Sequence, residues 1–206
     1  MSLSAENVTC LRGDRLVFRD ISFDLAGGQA LWVRGRNGAG KSTLLRIAAR
    51  LLRPQAGRFF WNRTDITEDD EPYHGQYHYI GHQEVLKPVL TVAENLSFWA
   101  EFHGQGKASL EQAIEGFELG ALRDTPAGLL SAGQKKRTNL ARLLASPAPL
   151  WILDEPLSAL DTHFIDLFRA RLSEHLKAGG LALYATHQDL GIDGSQELDL
   201  DAGGGA

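Results

Sequence analysis

The sequence predicts an α/β fold: a mostly parallel core sheet, an antiparallel N-terminal β flap and an inserted helical subdomain. Three observations carry this. The first 34 residues read as short strands punctuated by glycine turns, and "GRNGAGKS" (Gly35 to Ser42) joins a strand to a helix. After a run of helices the pattern returns to strand, helix, strand at "PLWILDE", "DTHFIDLFRARLSEHLKAGG" and "LALYATH". Alternating strands and helices imply parallel pairing with helices packed on the sheet.

Taken in order, "ENVTCLR" and "LVFRDISFDLAGG" are strands with turns at Gly13-Asp14 and Gly27-Gly28, and "QALWVRG" is a half-buried strand running into glycines. "TLLRIAARLLRP" has leucines and alanines at helical spacing and is expected to end just before Pro54. "GRFFWN" and "QYHYIGHQ" are further strands, the second ending at Gln83. Thr91 with Glu94 matches a capping box opening "VAENLSFWAEFHG", and "SLEQAIEGFEL" and "SAGQKKRTNLARLLAS" continue as helices. Residues 85–146 are therefore expected to form a helical subdomain inside a single domain, 1–206, whose core is 1–84 and 147–206. In the last long helix Phe164, Ile165, Phe168, Leu172 and Leu176 share one face. No internal repeat is visible, and the Gly-rich terminal tail is expected to be disordered.

Composition narrows the function. A chain of 206 residues buries a real core without disulfide staples, and its one cysteine, Cys10, has no intrachain partner. With no signal-peptide pattern at the start, a cytosolic setting is the expectation. Apolar runs are broken by charge well short of the roughly 20 residues a spanning helix needs. Acidic residues outnumber basic ones by 26 to 21, so the basic footprint of a nucleic-acid binder is missing and no nucleic-acid partner is expected.

The chemistry concentrates in three places. "GRNGAGKS" fits the phosphate-loop pattern of two glycines five apart followed by Lys and a hydroxyl residue. Gly35, Arg36, Asn37, Gly38, Ala39 and Gly40 would wrap a triphosphate with backbone N–H groups, Lys41 would reach its β and γ phosphates, and Ser42, followed by Thr43, would ligate Mg²⁺. "LWILDE" ends a buried strand in two acids; Asp154 would orient the metal and Glu155 would polarise the attacking water. "LSAGQKKRTNLAR" opens a helix on small residues, so the N–H groups after Ser131 are open to an anion, a phosphate above all.

Together these motifs resemble the nucleotide-binding subunit of ATP-binding-cassette (ABC) transporters, over about residues 5 to 190. "LSAGQ" is similar to the family signature usually written LSGGQ, with Ala132 in place of one glycine. The resemblance implies that Ser131, Ala132, Gly133 and Gln134 bind the γ-phosphate of ATP held by a second copy, in a head-to-tail dimer with two ATP molecules between the chains. It further implies that Gln83 senses Mg²⁺, that Asp161 in "SALD" contacts the opposite subunit, and that His187 is the switch histidine at the γ-phosphate. One departure stands out: Arg12 occupies the position where the family commonly stacks a tyrosine on adenine. A guanidinium plane also stacks on bases, so ATP binding is expected to survive with GTP as a competitor.

"YIGHQ", "TVAENLSFW", "LSAGQKKR", "LWILDEP" and the close of the chain soon after "ATHQDL" are similar to the haem-exporter branch of that family, which serves bacterial cytochrome c maturation. The branch implies a peripheral subunit at the cytoplasmic face of the inner membrane, docked on an integral-membrane transporter subunit and acting with haem-handling proteins indirectly. Hydrolysis there would power haem export or release of a loaded haem chaperone. The docking groove is expected near Gln83 to Leu90, where Val85, Leu86, Pro88 and Val89 are either partner contacts or subdomain core. The seven histidines are scattered and, with Cys10, make no haem site. Competing readings are an exporter subunit for lipid, lipoprotein or peptide, a soluble ABC ATPase of DNA repair or translation, and an inactive binding module. Glu155 and His187 weigh against the last.

Overall fold

The computed structural model describes residues 1–201; the Gly-rich tail lies outside the described residues. Two compact units emerge, one of residues 1–79, 149–155 and, among the described residues, 173–201, the other of residues 80–148 and 156–172.

The first unit holds two sheets. In the flap, β1 (Ser2–Arg12) pairs antiparallel with β2 (Arg15–Ala26) and with β4 (Ala56–Trp61), and β5 (Thr64–Asp65) extends the edge, giving the order β2-β1-β4-β5. The core sheet has the order β6-β7-β8-β3-β9, built from β3 (Ala30–Arg34), β6 (Tyr77–Ile80), β7 (Leu150–Asp154), β8 (Leu181–Ala185) and β9 (Gln196–Asp199). The β3–β8, β3–β9 and β7–β8 pairs are parallel. Every residue of β7 and β8 is buried, which is why both read as continuous apolar runs rather than alternating ones. β3 was expected to be half-buried; its first four residues are buried, Leu31 and Val33 within the apolar cluster that includes α1 and the flap.

One apolar cluster joins the flap to the core sheet. Leu3, Leu25 and Phe59 from the flap meet Leu44 and Leu45 of α1 (Lys41–Ala48) and Ile152 and Leu183 of the sheet, all 0% exposed. Each such side chain contributes roughly 1.5–3 kcal/mol of burial free energy, and the cluster fixes α1 against the strands that feed the site.

α1 is shorter than the sequence suggests. Arg50 turns left-handed at φ 55°, Leu51 N–H bonds Arg46 O at 2.8 Å and Arg50 N–H bonds Ile47 O at 2.9 Å. That is a Schellman stop, and it leaves Leu51 and Leu52 at 57% and 42% exposure instead of extending the helix toward Pro54.

The second unit contains α2 (Val92–Phe102), α3 (Lys107–Gly116) and α4 (Ala132–Ala145). Thr91 and Glu94 form the expected capping box, and Ser131 with Gln134 forms a second at the start of α4. α3 starts and stops earlier than expected, the chain reversing where Glu118 takes φ 52°. α4 also buries a cation: Arg142 donates to Asn139 Oδ1 at 2.9 Å and lies 3.8 Å over the Trp99 ring, and burial lowers its pKa to about 10. α5 (Thr162–Lys177) starts in this unit, capped by Asp161, and ends in the first. Along its apolar face Phe168, Leu172 and Leu176 are buried, whereas Phe164 and Ile165 are only half-buried.

Candidate functional site

The site of the first unit is built where β3 delivers the chain into "GRNGAGKS". Gly35, Gly38 and Gly40 adopt φ 143°, 85° and 103°. Gly40 is also a close approach: a Cβ there would stand 2.5 Å from Val17 Cγ1 and 2.9 Å from the Phe18 ring, so the flap itself forbids a side chain. The loop ends at the N-terminus of α1, whose first N–H groups and dipole favour an anion. Lys41, 9% exposed, sends its ammonium back along the loop to Gly35 O at 2.7 Å and Arg36 O at 3.2 Å.

Beneath the loop, the Ser42 hydroxyl donates to Asp154 Oδ1 at 2.9 Å, and Asp154 is 2% exposed at the end of β7. Both are hard oxygen donors on the floor of a phosphate loop, a donor set that suits Mg²⁺, which takes few protein ligands and completes its shell from phosphate and water. No group of three or more His, Cys, Asp or Glu able to hold a metal occurs among the described residues.

Glu155 follows at φ 50°, an uncommon conformation for a residue with a side chain. Its N–H donates to Ala185 O at 2.8 Å, which extends the β7–β8 ladder by one bond while the side chain turns toward the pocket. His187, two residues past the end of β8, places Nε2 3.5 Å from Glu155 Oε1. This pairs an acceptor for a water proton with a group able to orient it.

These residues line one open cavity of about 830 Å³. Its floor is the loop with Asp154 and Glu155, and its flap wall carries Arg12, Arg15 and Leu16. Arg12 and Arg15 face each other across the Gly13-Asp14 turn. The single aromatic side chain in the lining, Phe18, is 1% exposed and occupied with packing. The flap wall thus offers guanidinium planes and no exposed aromatic ring. Since a guanidinium stacks on either purine, kcat/KM for GTP is expected within about threefold of that for ATP. Steady-state hydrolysis with both nucleotides checks this, and a preference for ATP beyond about tenfold would refute it.

The second unit carries the remaining sequence-predicted residues. Ser131 is the N-cap of α4: its hydroxyl accepts Gln134 N–H at 3.3 Å and its own N–H reaches Gln134 Oε1 at 2.9 Å. Gln134 is thereby committed to the capping box, while Ser131 and Ala132 are exposed. The glycine that the signature keeps is the one it must keep, because a Cβ on Gly133 would meet Ala159 O at 2.8 Å. Ala132, the substituted position, is exposed. Asp161 serves α5 as its N-cap, accepting Phe164 N–H at 3.0 Å. Gln83 corrects an expectation: β6 stops at Ile80, and Gln83 lies exposed in the bend beyond it. The strand covers only the four residues Tyr77–Ile80, and the chain leaves it at Gly81 into a bend at His82 and Gln83.

Sequence reasoning missed β9 and Asp201. The Asp201 carboxylate accepts Arg36 N–H at 2.7 Å and lines the cavity. No local motif marks it, because it reaches the loop across 165 residues.

A family model described as ABC transporter matches residues 18–158. The cytochrome c biogenesis ATP-binding export protein CcmA of Paramagnetospirillum magneticum is 48% identical over 204 residues, covering 97% of this chain and 94% of that protein. The protein of the same name from Rhodospirillum rubrum is 46% identical over 198 residues, covering 96% and 85%. A solved structure of a putative ABC transporter ATP-binding protein from Pyrococcus furiosus superposes with a TM-score of 0.84 at 23% identity, covering 98% of each chain, which supports the fold. A phosphate loop, its acidic strand end and the capped small-residue helix start all fall within the matched residues, and the chain belongs to the ABC transporter family as an ATP-binding, ATP-hydrolysing subunit.

Proposed function

We propose that this chain is the ATPase of a bacterial inner-membrane complex serving cytochrome c biogenesis, where hydrolysis powers haem export or release of a haem-loaded chaperone. The observation that carries this reading is near full-length similarity, at 48% identity, to a protein named as an ATP-binding export protein of cytochrome c biogenesis. The whole chain acts as one cassette, with residues 1–84 and 147–206 as its nucleotide-binding core and 85–146 as the lobe that carries the signature.

In the mechanism, the loop N–H groups and Lys41 bind the triphosphate of ATP. Mg²⁺, when bound, would neutralise phosphate charge, and Ser42 and Asp154 would hold it. Glu155 accepts the proton of the attacking water, and His187 orients Glu155 and contacts the γ-phosphate. Ser131, Ala132, Gly133 and Gln134 of a second copy complete the site across a head-to-tail dimer, and Asp161 contacts the opposite chain.

Docking is assigned to an apolar strip of the second unit. Val85 and Val89 are 53% and 85% exposed, and Leu129 beside them is 78% exposed. Gly128 N–H bonds Pro88 O at 2.8 Å, which ties the two segments into one surface. Leu86 is half-buried, so of the two readings of this stretch, exposure favours partner contact. No helix among the described residues is long and apolar enough to cross a membrane, and the proposal places the chain peripherally, on the cytoplasmic face, held by a membrane-embedded subunit.

The test is affinity purification of tagged protein from detergent-solubilised native membranes with ATP, with mass spectrometry and a scan for haem absorbance. Recovery of a multi-spanning subunit together with cytochrome c maturation proteins is expected, and Val89→Glu should lose that subunit while keeping its fold. A lipid or peptide permease in their place would overturn the haem assignment; retention of the partner by Val89→Glu would overturn the docking surface.

A further inference from the structure

The Gly35–Arg36 peptide is held at both ends. Its carbonyl, Gly35 O, accepts the Lys41 ammonium at 2.7 Å, and its N–H, on Arg36, donates to Asp201 Oδ2 at 2.7 Å. The two contacts lie on opposite edges of one planar unit, so the orientation of that plane sets both. Gly35, at φ 143°, offers little intrinsic resistance to a flip of this plane, because glycine populates such conformations freely.

Asp201 is itself braced. β9 pairs parallel with β3 in the register Arg34↔Asp199, and Leu200 N–H then bonds Arg34 O at 3.0 Å. Asp201 N–H bonds Asp199 Oδ1 at 2.9 Å, and Arg34 pairs with Glu197 at 2.7 Å. Leu200 packs so close to Gly35 that a Cβ there would stand 3.5 Å from Leu200 Cβ and 3.7 Å from Asp201 Oδ2. The strand edge thus carries the carboxylate to one position on the loop. The Arg36 guanidinium is a weaker contact, with Nε 3.5 Å from Asp201 Oδ1 and its side chain 84% exposed. Asp201 lies beyond the 18–158 stretch matched to the family.

We propose that Asp201 is a positioning residue for nucleotide binding: by accepting the Arg36 N–H it fixes the Gly35–Arg36 peptide plane, and through that plane it holds the Lys41 ammonium in line with the phosphate site. A negative charge beside a triphosphate site is by itself unfavourable. Its presence there is accounted for by its role as an acceptor for the main chain, and a neutral acceptor of the same shape should serve as well. The inference rests on the reading of Gly35–Ser42 as the nucleotide loop.

The experiment compares the full chain with Asp201→Ala and Asp201→Asn, measuring the affinity of a fluorescent ATP analogue and the melting temperature without nucleotide. Loss of a charged acceptor is expected to weaken binding by about tenfold or more in Asp201→Ala, with melting within about 2 °C of the parent, since the site is exposed and no core contact is lost. Asp201→Asn, whose carbonyl accepts the same N–H, is expected within about threefold of the parent. Parental affinity in Asp201→Ala would overturn the proposal, as would equal weakening in both variants, which would assign the effect to charge. Weakening accompanied by a matching fall in melting temperature would also overturn it, as a general loss of structure. If the parent itself failed to bind the analogue, the nucleotide-site reading would fall, a distinct result.

Discussion

Glu155→Gln is expected to bind ATP, to lose hydrolysis by about a hundredfold or more, and to accumulate as an ATP-dependent dimer in size-exclusion chromatography. The amide matches the carboxylate in shape, so the backbone that sets it, at φ 50° with N–H to Ala185 O at 2.8 Å, should be undisturbed. What it lacks is a basic oxygen for the water proton, and positioned general bases contribute typically 10²–10⁴-fold. Removing one negative charge beside a triphosphate also favours the bound state. A site that binds but cannot turn over holds its nucleotide, and if two chains share the nucleotide, the pair stays together. Parental turnover in this variant would show that Glu155 does not activate the water. A monomer that binds ATP without turnover would leave Glu155 in its role and remove the shared site from the proposal.

The same residue shows why parts of this site were legible in the sequence. The phosphate loop is contiguous, and its glycines are demanded locally, by positive φ and by the closeness of the flap, so eight residues announce it. Asp154 and Glu155 are legible because a run of four apolar residues that ends in acids must be a buried strand reaching the sheet edge. Thr91–Glu94 and Ser131–Gln134 are capping boxes, readable as spacing. Where contacts span the chain, legibility fails. β9, "QELD", has no apolar periodicity strong enough to name a strand; it exists because β3 offers it a free edge, 160-odd residues earlier in the chain. Asp201 follows from β9 and was invisible with it. The end of α1 misled for the opposite reason: Leu51 and Leu52 continue the helical spacing, but the left-handed turn at Arg50 overrides a pattern that has no core to face. Family resemblance supplied roles for Gln83, Asp161 and His187 that their local sequence does not.

Lys41→Ala is expected to reduce nucleotide affinity by about a hundredfold or more, to the limit of detection in a fluorescent-nucleotide titration, while the chain keeps its fold. Lys41 is buried to 9% exposure, and in the structure its ammonium rests on two loop carbonyls, Gly35 O and Arg36 O. Those bonds hold the cation at the mouth of α1, where a triphosphate competes for it with far more charge. Charge-assisted hydrogen bonds of this kind are each worth roughly 1.5–3 kcal/mol, so two lost to phosphate account for the expected factor. Folding should survive because alanine has the highest intrinsic helix propensity, and because Leu44 and Leu45 of α1, not Lys41, anchor it in the apolar cluster. Lys41→Arg is not expected to rescue: the planar guanidinium cannot occupy the narrow turn in which a single ammonium meets both carbonyls. Retained tight binding in Lys41→Ala, with a parental melting temperature, would place the phosphate elsewhere and remove the basis for Asp201 acting through this lysine. Lost binding with an unchanged melting temperature leaves the ammonium as the group through which the loop, and the strand edge behind it, act on the nucleotide.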